Sequence, residues 1–449
     1  MLYSFLKSLM KITVGIFFRS ITIRNKELIP EKGPLLILAN HPSTFMDPIV
    51  IATLINRKVY FLAKGELFKN KFTRWLLPKF NMIPVYRKQD NPELMNKNED
   101  TFNKCFEHLE KGGAILMFPE GISITERKLK PIKTGAARIA LGAEAKNNFK
   151  LDVSIINIGL NYENPHRFNR DLFVNINNPI HCKEYKNQYQ TDDIKAVQTL
   201  TSDITLQLEK IVIDIEDKKT DELVASIEML YKNAIRQTSG DKEDKSTDFL
   251  ITKNIIEIVN YYSIIDPKKV DAMRIRLSNY VKALEELGID DNGISKSLKK
   301  QSFLKSNILL LLYILLGFPI YVYGAINNFI AFEIPGFIAK KTTKTIEFRG
   351  AIGMVGGVFS FAIFYTLQIF AVWRYTHNEW LTIIYGLSLP LSGLFAYRYY
   401  YTIIEIKNKW LLMMTFYKKS VFVANLISER ENIIKEFNEV QNEYFSKQK

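Results

Sequence analysis

The stretch "ILANHPSTFMDP" (37–48) leads an apolar run into His41, one of five histidines in 449 residues, with Asp47 six positions on. An imidazole beside a carboxylate is a general base with its orienter. The carboxylate accepts from one ring nitrogen, fixing the tautomer and steadying the imidazolium, while the other nitrogen takes a proton from an alcohol. At about 100° per residue, positions six apart fall on different helix faces. The two therefore meet only if the chain bends at Pro42 and a helix begins near Asp47. The same residues also suit a plain turn, with Asp47 as N-cap, Pro48 at the first helical position and His41 closing a strand. No third ligand accompanies the pair, so a metal site is not implied.

Three further stretches offer binding groups. In "NMIPVYRKQD" a short apolar strand ends at Arg87, a residue suited to paired hydrogen bonds to phosphate, though a lone arginine commonly faces solvent. In "LMFPEGISITERKLKPIKTGAAR" a strand stops at Pro119 and turns through Glu120 and Gly121. Arg127, Lys128, Lys130 and Lys133 then precede a helix from Thr134. Backbone amides in a glycine turn beside cations form an anion-binding geometry, although "PEG" alone is a turn signal. "VSIINIGLNYENP" reads as a buried strand running into a polar loop.

The elements that must position these groups alternate. "PLLILAN" (34–40), "KVYFLA" (58–63), "MIPVY" (82–86), "AILMF" (114–118) and "VSIINIGL" (153–160) read as buried strands. Residues 48–55, 93–113 and 133–146 read as helices, the second ending at Gly112-Gly113. The fold class is α/β, a mixed or largely parallel sheet with surrounding helices, in which ligands gather where strands end. From about Thr191 the chain becomes helical and charged, with a polar linker at 237–248.

Composition narrows the class. The chain is 47% hydrophobic and 12% aromatic, against disorder, and its charge of +14 favours an anionic partner. The basic residues are scattered, not interleaved with aromatics, which speaks against nucleic acid. Two cysteines, Cys105 and Cys182, make neither a disulfide framework nor a zinc site. The N-terminus shows no small-residue cleavage site. Leu2, Phe5, Leu6, Leu9 and Met10 recur at helical spacing beside Lys7 and Lys11, as in an interfacial helix or one packed on its own core.

Residues 306–332, 351–373 and 381–397 carry no charge and approach or exceed the roughly 20 residues that cross a bilayer. Lysines flank the first on both sides, which conflicts with three simple crossings. The expected arrangement is a hairpin over 351–397 and a segment, 306–339, that spans or re-enters by bending near Gly317-Phe318-Pro319. The predicted regions are an interfacial helix (1–25), the α/β domain (26–215), a charged helical region (216–300), the membrane region (301–400) and a helical tail (401–449).

"NHPSTFMD", "IPVYR", "FPEGIS" and "SIINIGLNY" follow the order and spacing of the four motifs of the glycerolipid acyltransferases, so residues 30–180 resemble that superfamily. Five residues separate His41 from Asp47 where the usual motif has four. Ile122-Ser123-Ile124 replaces the usual Thr-Arg-Ser, and Asn157 replaces a proline. With Pro48 and "PIKTGAA", the first two departures make the chain more similar to yeast-type glycerol-3-phosphate/dihydroxyacetone-phosphate acyltransferases. The resemblance implies acyl transfer from acyl-CoA or acyl-carrier protein to a phosphorylated glycerol or lysophospholipid acceptor, in phospholipid biosynthesis or remodelling. His41 is then the general base and Asp47 its orienter, with no cofactor and no acylated serine or cysteine. Arg87, Glu120 and Gly121 would form the acceptor site by motif position, with Ser123, Arg127 and Lys128 counted in it. An anionic membrane is the expected partner, with the catalytic domain on its cytoplasmic face. A catalytically silent scaffold and a transporter with an accessory domain remain as rivals. The transporter is disfavoured because neither arm of the 351–397 hairpin (351–373 and 381–397) holds a charge-carrying group.

Overall fold

The computed structural model describes residues 2–86, 93, 98–239, 244–291, 294, 303–418 and 420–448. It divides into two compact units, Met1–Asp214 with Gly336–Gly356, and Ile215–Pro335 with Gly357–Lys449.

The first unit is built on strands β1 (Phe18–Arg24), β2 (Leu35–Ala39), β3 (Val59–Lys64), β4 (Met82–Val85), β5 (Ala114–Met117), β6 (Ser154–Tyr162), β7 (Arg170–Ile176) and β8 (Ile180–His181). Its helices are α1 (Leu2–Phe17), α2 (Met46–Leu54), α3 (Lys71–Leu76), α4 (Asn98–Glu110), α5 (Gly135–Lys146), α6 (Lys186–Thr191) and α7 (Asp193–Ile211). The strands lie in the order β1-β7-β6-β2-β5-β3-β4. From β6 to β4 every neighbour is parallel, while β7 and β8 run antiparallel to β6 and β1 runs parallel to β7.

A central parallel strand is covered on both faces, so it reads as an unbroken apolar run. β2, "LLILA", is fully buried. Its side chains alternate between two cores. Leu35, Ile37 and Ala39 pack with Val14 and Phe17 of α1 and Met46, Val50 and Ile51 of α2. Leu36 and Leu38 pack with Cys105 of α4, the alanines of α5 and Leu200 and Ile204 of α7.

The N-terminal helix is shorter than expected over 1–25. It ends at Phe17, and the next residues form edge strand β1. Arg19 and Ser20 fix that edge, donating to the Asp171 carboxylate of β7 at 2.8 and 2.9 Å. The helix packs on its own core through Val14 and Phe17, and Lys7 donates to the main-chain oxygens of Ile55 and Arg57. It also exposes Phe5, Ile12 and Ile16. The first unit therefore begins before residue 26 and takes in 336–356 from far along the chain.

The second unit is helical. α8 (Lys218–Ser239), α9 (Lys245–Ile265), α10 (Pro267–Leu287) and α14 (Ser420–Gln448) carry amphipathic faces. Between them in sequence run three long apolar helices, α11 (Phe303–Thr342), α12 (Ile346–Thr376) and α13 (Glu379–Lys418). Within these, Leu312–Thr342, Ile346–Thr376 and Glu379–Asn408 are long and apolar enough to cross a membrane. The predicted bend at Gly317-Phe318-Pro319 does not form, because Phe303–Thr342 is one helix with Pro319 inside it. Gly317 serves close packing instead: a Cβ there would lie 2.7 Å from the Tyr399 ring. Polar side chains fasten these helices to one another. Tyr365 donates to Asn328 Oδ1 at 2.6 Å, and Asn328 Nδ2 donates to the Leu389 oxygen at 3.2 Å.

Candidate active site

β2, β5 and β6 are adjacent and parallel, so their C-terminal ends meet at one edge of the sheet. Asn40, just past β2, clamps that edge. Its Nδ2 donates to the Leu160 oxygen at 3.0 Å and its Oδ1 accepts the Leu160 N–H at 2.7 Å. The chain turns at Pro42 and α2 starts at Met46, which puts Asp47 in the first helical turn and Phe45 at the N-cap. Asp47 is therefore not the cap, the other role its sequence suited.

His41 Nδ1 and Asp47 Oδ2 lie 2.8 Å apart, with Asp47 fully buried and the His41 side chain 15% exposed. The carboxylate is held from three sides. Oδ2 also accepts the Ser43 N–H at 2.8 Å, and Oδ1 accepts the Tyr162 hydroxyl at 2.8 Å. Burial, with the Asp47 charge beside it, holds the Tyr162 hydroxyl far above the ordinary phenol range, so it stays a donor. The carboxylate offers Nδ1 only an acceptor, so the ring proton sits there and Nε2 keeps its lone pair. The ring stacks on Phe118, centroids 3.8 Å apart and planes within 8°.

The turn after β5 meets this loop from the other side. Glu120 Oε1 accepts the His41 N–H at 2.8 Å and its Oε2 accepts the Lys130 N–H at 2.9 Å. Burial raises the Glu120 carboxyl above its usual range, an effect those two N–H groups oppose. Gly121 has φ +67°, a backbone region costly for residues with a Cβ. Ser123 Oγ accepts the Thr44 N–H at 2.8 Å and lies 3.1 Å from Thr44 Oγ1.

His41, Asn40, Glu120, Ile124 and Lys128 line a cleft at this edge. Of the predicted site residues, His41, Asp47, Glu120, Gly121, Ser123 and Lys128 are thus gathered in one place. Glu120 and Ser123 spend their oxygens on the protein's own loops. Arg127, partly buried on the same loop, is not part of the cleft lining. Arg87 lies outside the described residues. Asn157 stands mid-strand opposite Leu38, and its side chain donates to Gln207 at 2.8 Å, away from the cleft. Sequence reasoning gave no role to Tyr162, Phe118, Ser43 or Thr44. Register is the signal that finds Tyr162: Ala39 pairs with Ile158, so the end of β6 must face the loop after β2.

Residues 20–161, which hold the His41–Asp47 pair and the Glu120-Gly121 turn, match the family described as Acyltransferase. These residues are an acyltransferase domain of the glycerolipid type. The chain is 24% identical to glycerol-3-phosphate O-acyltransferase 1 of Saccharomyces cerevisiae, over 75% of this chain and 54% of that protein. The chain is also 26% identical to the 1-acyl-sn-glycerol-3-phosphate acyltransferase of Bacillus subtilis, over 31% of this chain and 65% of that protein. Among solved structures, the 1-acyl-sn-glycerophosphate acyltransferase of Thermotoga maritima aligns over 44% of this chain and 80% of its own, at 18% identity and a TM-score of 0.29. The chain spans about half the length of the yeast relative it matches.

Proposed function

We propose that the chain is a membrane-bound O-acyltransferase that moves a fatty acyl group from acyl-CoA or acyl-carrier protein to a hydroxyl of a phosphorylated glycerol, with glycerol-3-phosphate the first choice of acceptor and 1-acylglycerol-3-phosphate the second. The observation that carries this reading is the 2.8 Å bond between His41 and a buried Asp47 at the mouth of a cleft. His41 Nε2 takes the proton of the acceptor hydroxyl as its oxygen attacks the thioester carbon. The C–S bond then breaks, and the thiolate regains a proton from the imidazolium that Asp47 steadies. Attack is direct, with no acyl-enzyme. Lys128 and the charge of +14 favour a phosphorylated acceptor and an anionic surface. The three apolar helices and the exposed Phe5, Ile12 and Ile16 of α1 support membrane attachment. The catalytic domain is proposed to lie on the cytoplasmic face, the side favoured by the lysines that flank the first apolar helix.

The test incubates membranes containing wild-type or His41→Ala protein with labelled palmitoyl-CoA or palmitoyl-carrier protein, offering each acceptor separately. Product in lysophosphatidic acid that falls about 10²–10⁴-fold in the variant supports the first-step assignment. Label only in phosphatidic acid moves the protein to the second step. Equal product from wild type and variant with every pair of substrates refutes the reading.

A further inference from the structure

The acyltransferase match stops at residue 161, yet the loops that carry His41 are also braced by residues almost two hundred positions later. Thr345–Gly356 belongs to the same compact unit as the sheet, and Ala351 and Met354 are buried in its core. The segment is seated closely. A Cβ on Gly350 would lie 2.2 Å from the Pro165 oxygen, a main-chain atom that no rotamer change can move. Phe348 meets Phe45 edge-on, centroids 5.3 Å apart.

Glu347 is the polar centre of this contact. Its Oε1 accepts the Thr125 N–H at 3.1 Å, and its main-chain oxygen accepts the Ser43 hydroxyl at 3.3 Å. Ser43 bonds the reacting pair directly, and Thr125 bonds the residue that follows His41. Ser43 gives its N–H to Asp47 Oδ2, and Thr125 gives its hydroxyl to the Pro42 oxygen at 2.9 Å. The Thr125 proton is thereby spent, so His166 Nε2, 2.9 Å away, is the donor to Thr125 Oγ1. One residue thus ties together the loop before α2, through its main-chain oxygen, and the loop after β5, through its carboxylate.

We propose that Glu347, on the first turn of an apolar helix, is a positioning residue for acyl transfer. It holds the His41–Ser43 loop against the 123–125 loop, so that Nε2 keeps its aim at the acceptor hydroxyl. This rests on the acyltransferase reading above. Misplacing a catalytic group by about 1 Å is enough to lower a rate up to roughly 100-fold.

The experiment uses full-length protein in membranes, assayed with labelled palmitoyl-CoA or palmitoyl-carrier protein and each acceptor. Glu347→Ala should lower kcat about 10- to 100-fold with KM for both substrates within about twofold and the amount of membrane-inserted protein unchanged. Glu347→Gln keeps an acceptor oxygen for Thr125 and should stay within about threefold of wild type. In a His41→Ala background, Glu347→Ala should cost nothing further, because it acts through His41. A Glu347→Ala enzyme with wild-type kcat overturns the proposal, as does a glutamine variant as impaired as alanine, or a loss matched by less inserted protein. Absence of any His41-dependent product in the wild type, with both donors, overturns the acyltransferase reading and this proposal with it.

Discussion

Asp47 shows how one buried charge can be made useful. An unpaired carboxylate inside a protein is expensive, and this one is offset by a histidine, a backbone amide and a tyrosine. Tyr162→Phe removes one of the three and should lower kcat about tenfold with little change in KM, measured by initial rates at varied acceptor. Asp47→Asn should cost more, about as much as His41→Ala, because the amide can present its NH2 to Nδ1 and hold the wrong tautomer. His166 gives a pH test. Burial, with Arg349 nearby, lowers its pKa below the roughly 6.5 of a free imidazole, against the pull of Glu347 and Asp47. The folded state therefore resists protonation. The stability it contributes is present above about pH 6.5 and is lost as pH falls through the lowered folded value. Thermal unfolding followed from pH 8 to 5 should show that loss, and His166→Gln should reduce it. The pair alone suited a plain turn as well as a base, and it became a candidate site only because "NHPSTFMD" stands in order with three further motifs. Glu347 was not legible, since no pattern in sequence announces a contact across three hundred residues.

At the scale of elements, the site exists because three parallel strands stop at the same edge. Asn40 keeps two of those ends together with both halves of its amide. Asn40→Asp replaces the donor by an oxygen facing the Leu160 carbonyl, and should destabilise the domain by about 1–3 kcal/mol, read from denaturant unfolding in detergent. Asn40→Ala, which leaves both Leu160 groups unpaired, should fall in the same range. β2, β5 and β6 were readable because strands covered on both faces become unbroken apolar runs, and the half-buried β3 and β4 from their short apolar stretches. β1 and β7 escaped notice for the opposite reason. "FRSITIR" and "RDLFVNI" mix polar and apolar residues, and β1 begins where a helix ends with no turn signal between. The long helix Phe303–Thr342 misled in a third way: Gly317 and Pro319 look like a hinge, yet the glycine makes room for Tyr399.

The whole molecule joins an α/β unit to apolar helices whose length and composition fit a bilayer. Full-length protein should stay in the pellet after washing membranes with high salt and with alkaline carbonate. Release by salt alone would mean that the charge of +14, not the three helices, holds it there. The chain's sulfhydryls have a practical consequence. It has two cysteines, both fully buried, with Cys105 pushed up to about 12 and Cys182 well above its usual range by burial. A buried thiol held in its protonated form is a poor nucleophile. The native protein should therefore be silent toward a colorimetric disulfide reagent. Coenzyme A set free by the proposed transfer could then be counted continuously in the same cuvette, without labelled substrate. Adding denaturant at the end would expose two equivalents per chain, an internal standard for the enzyme concentration.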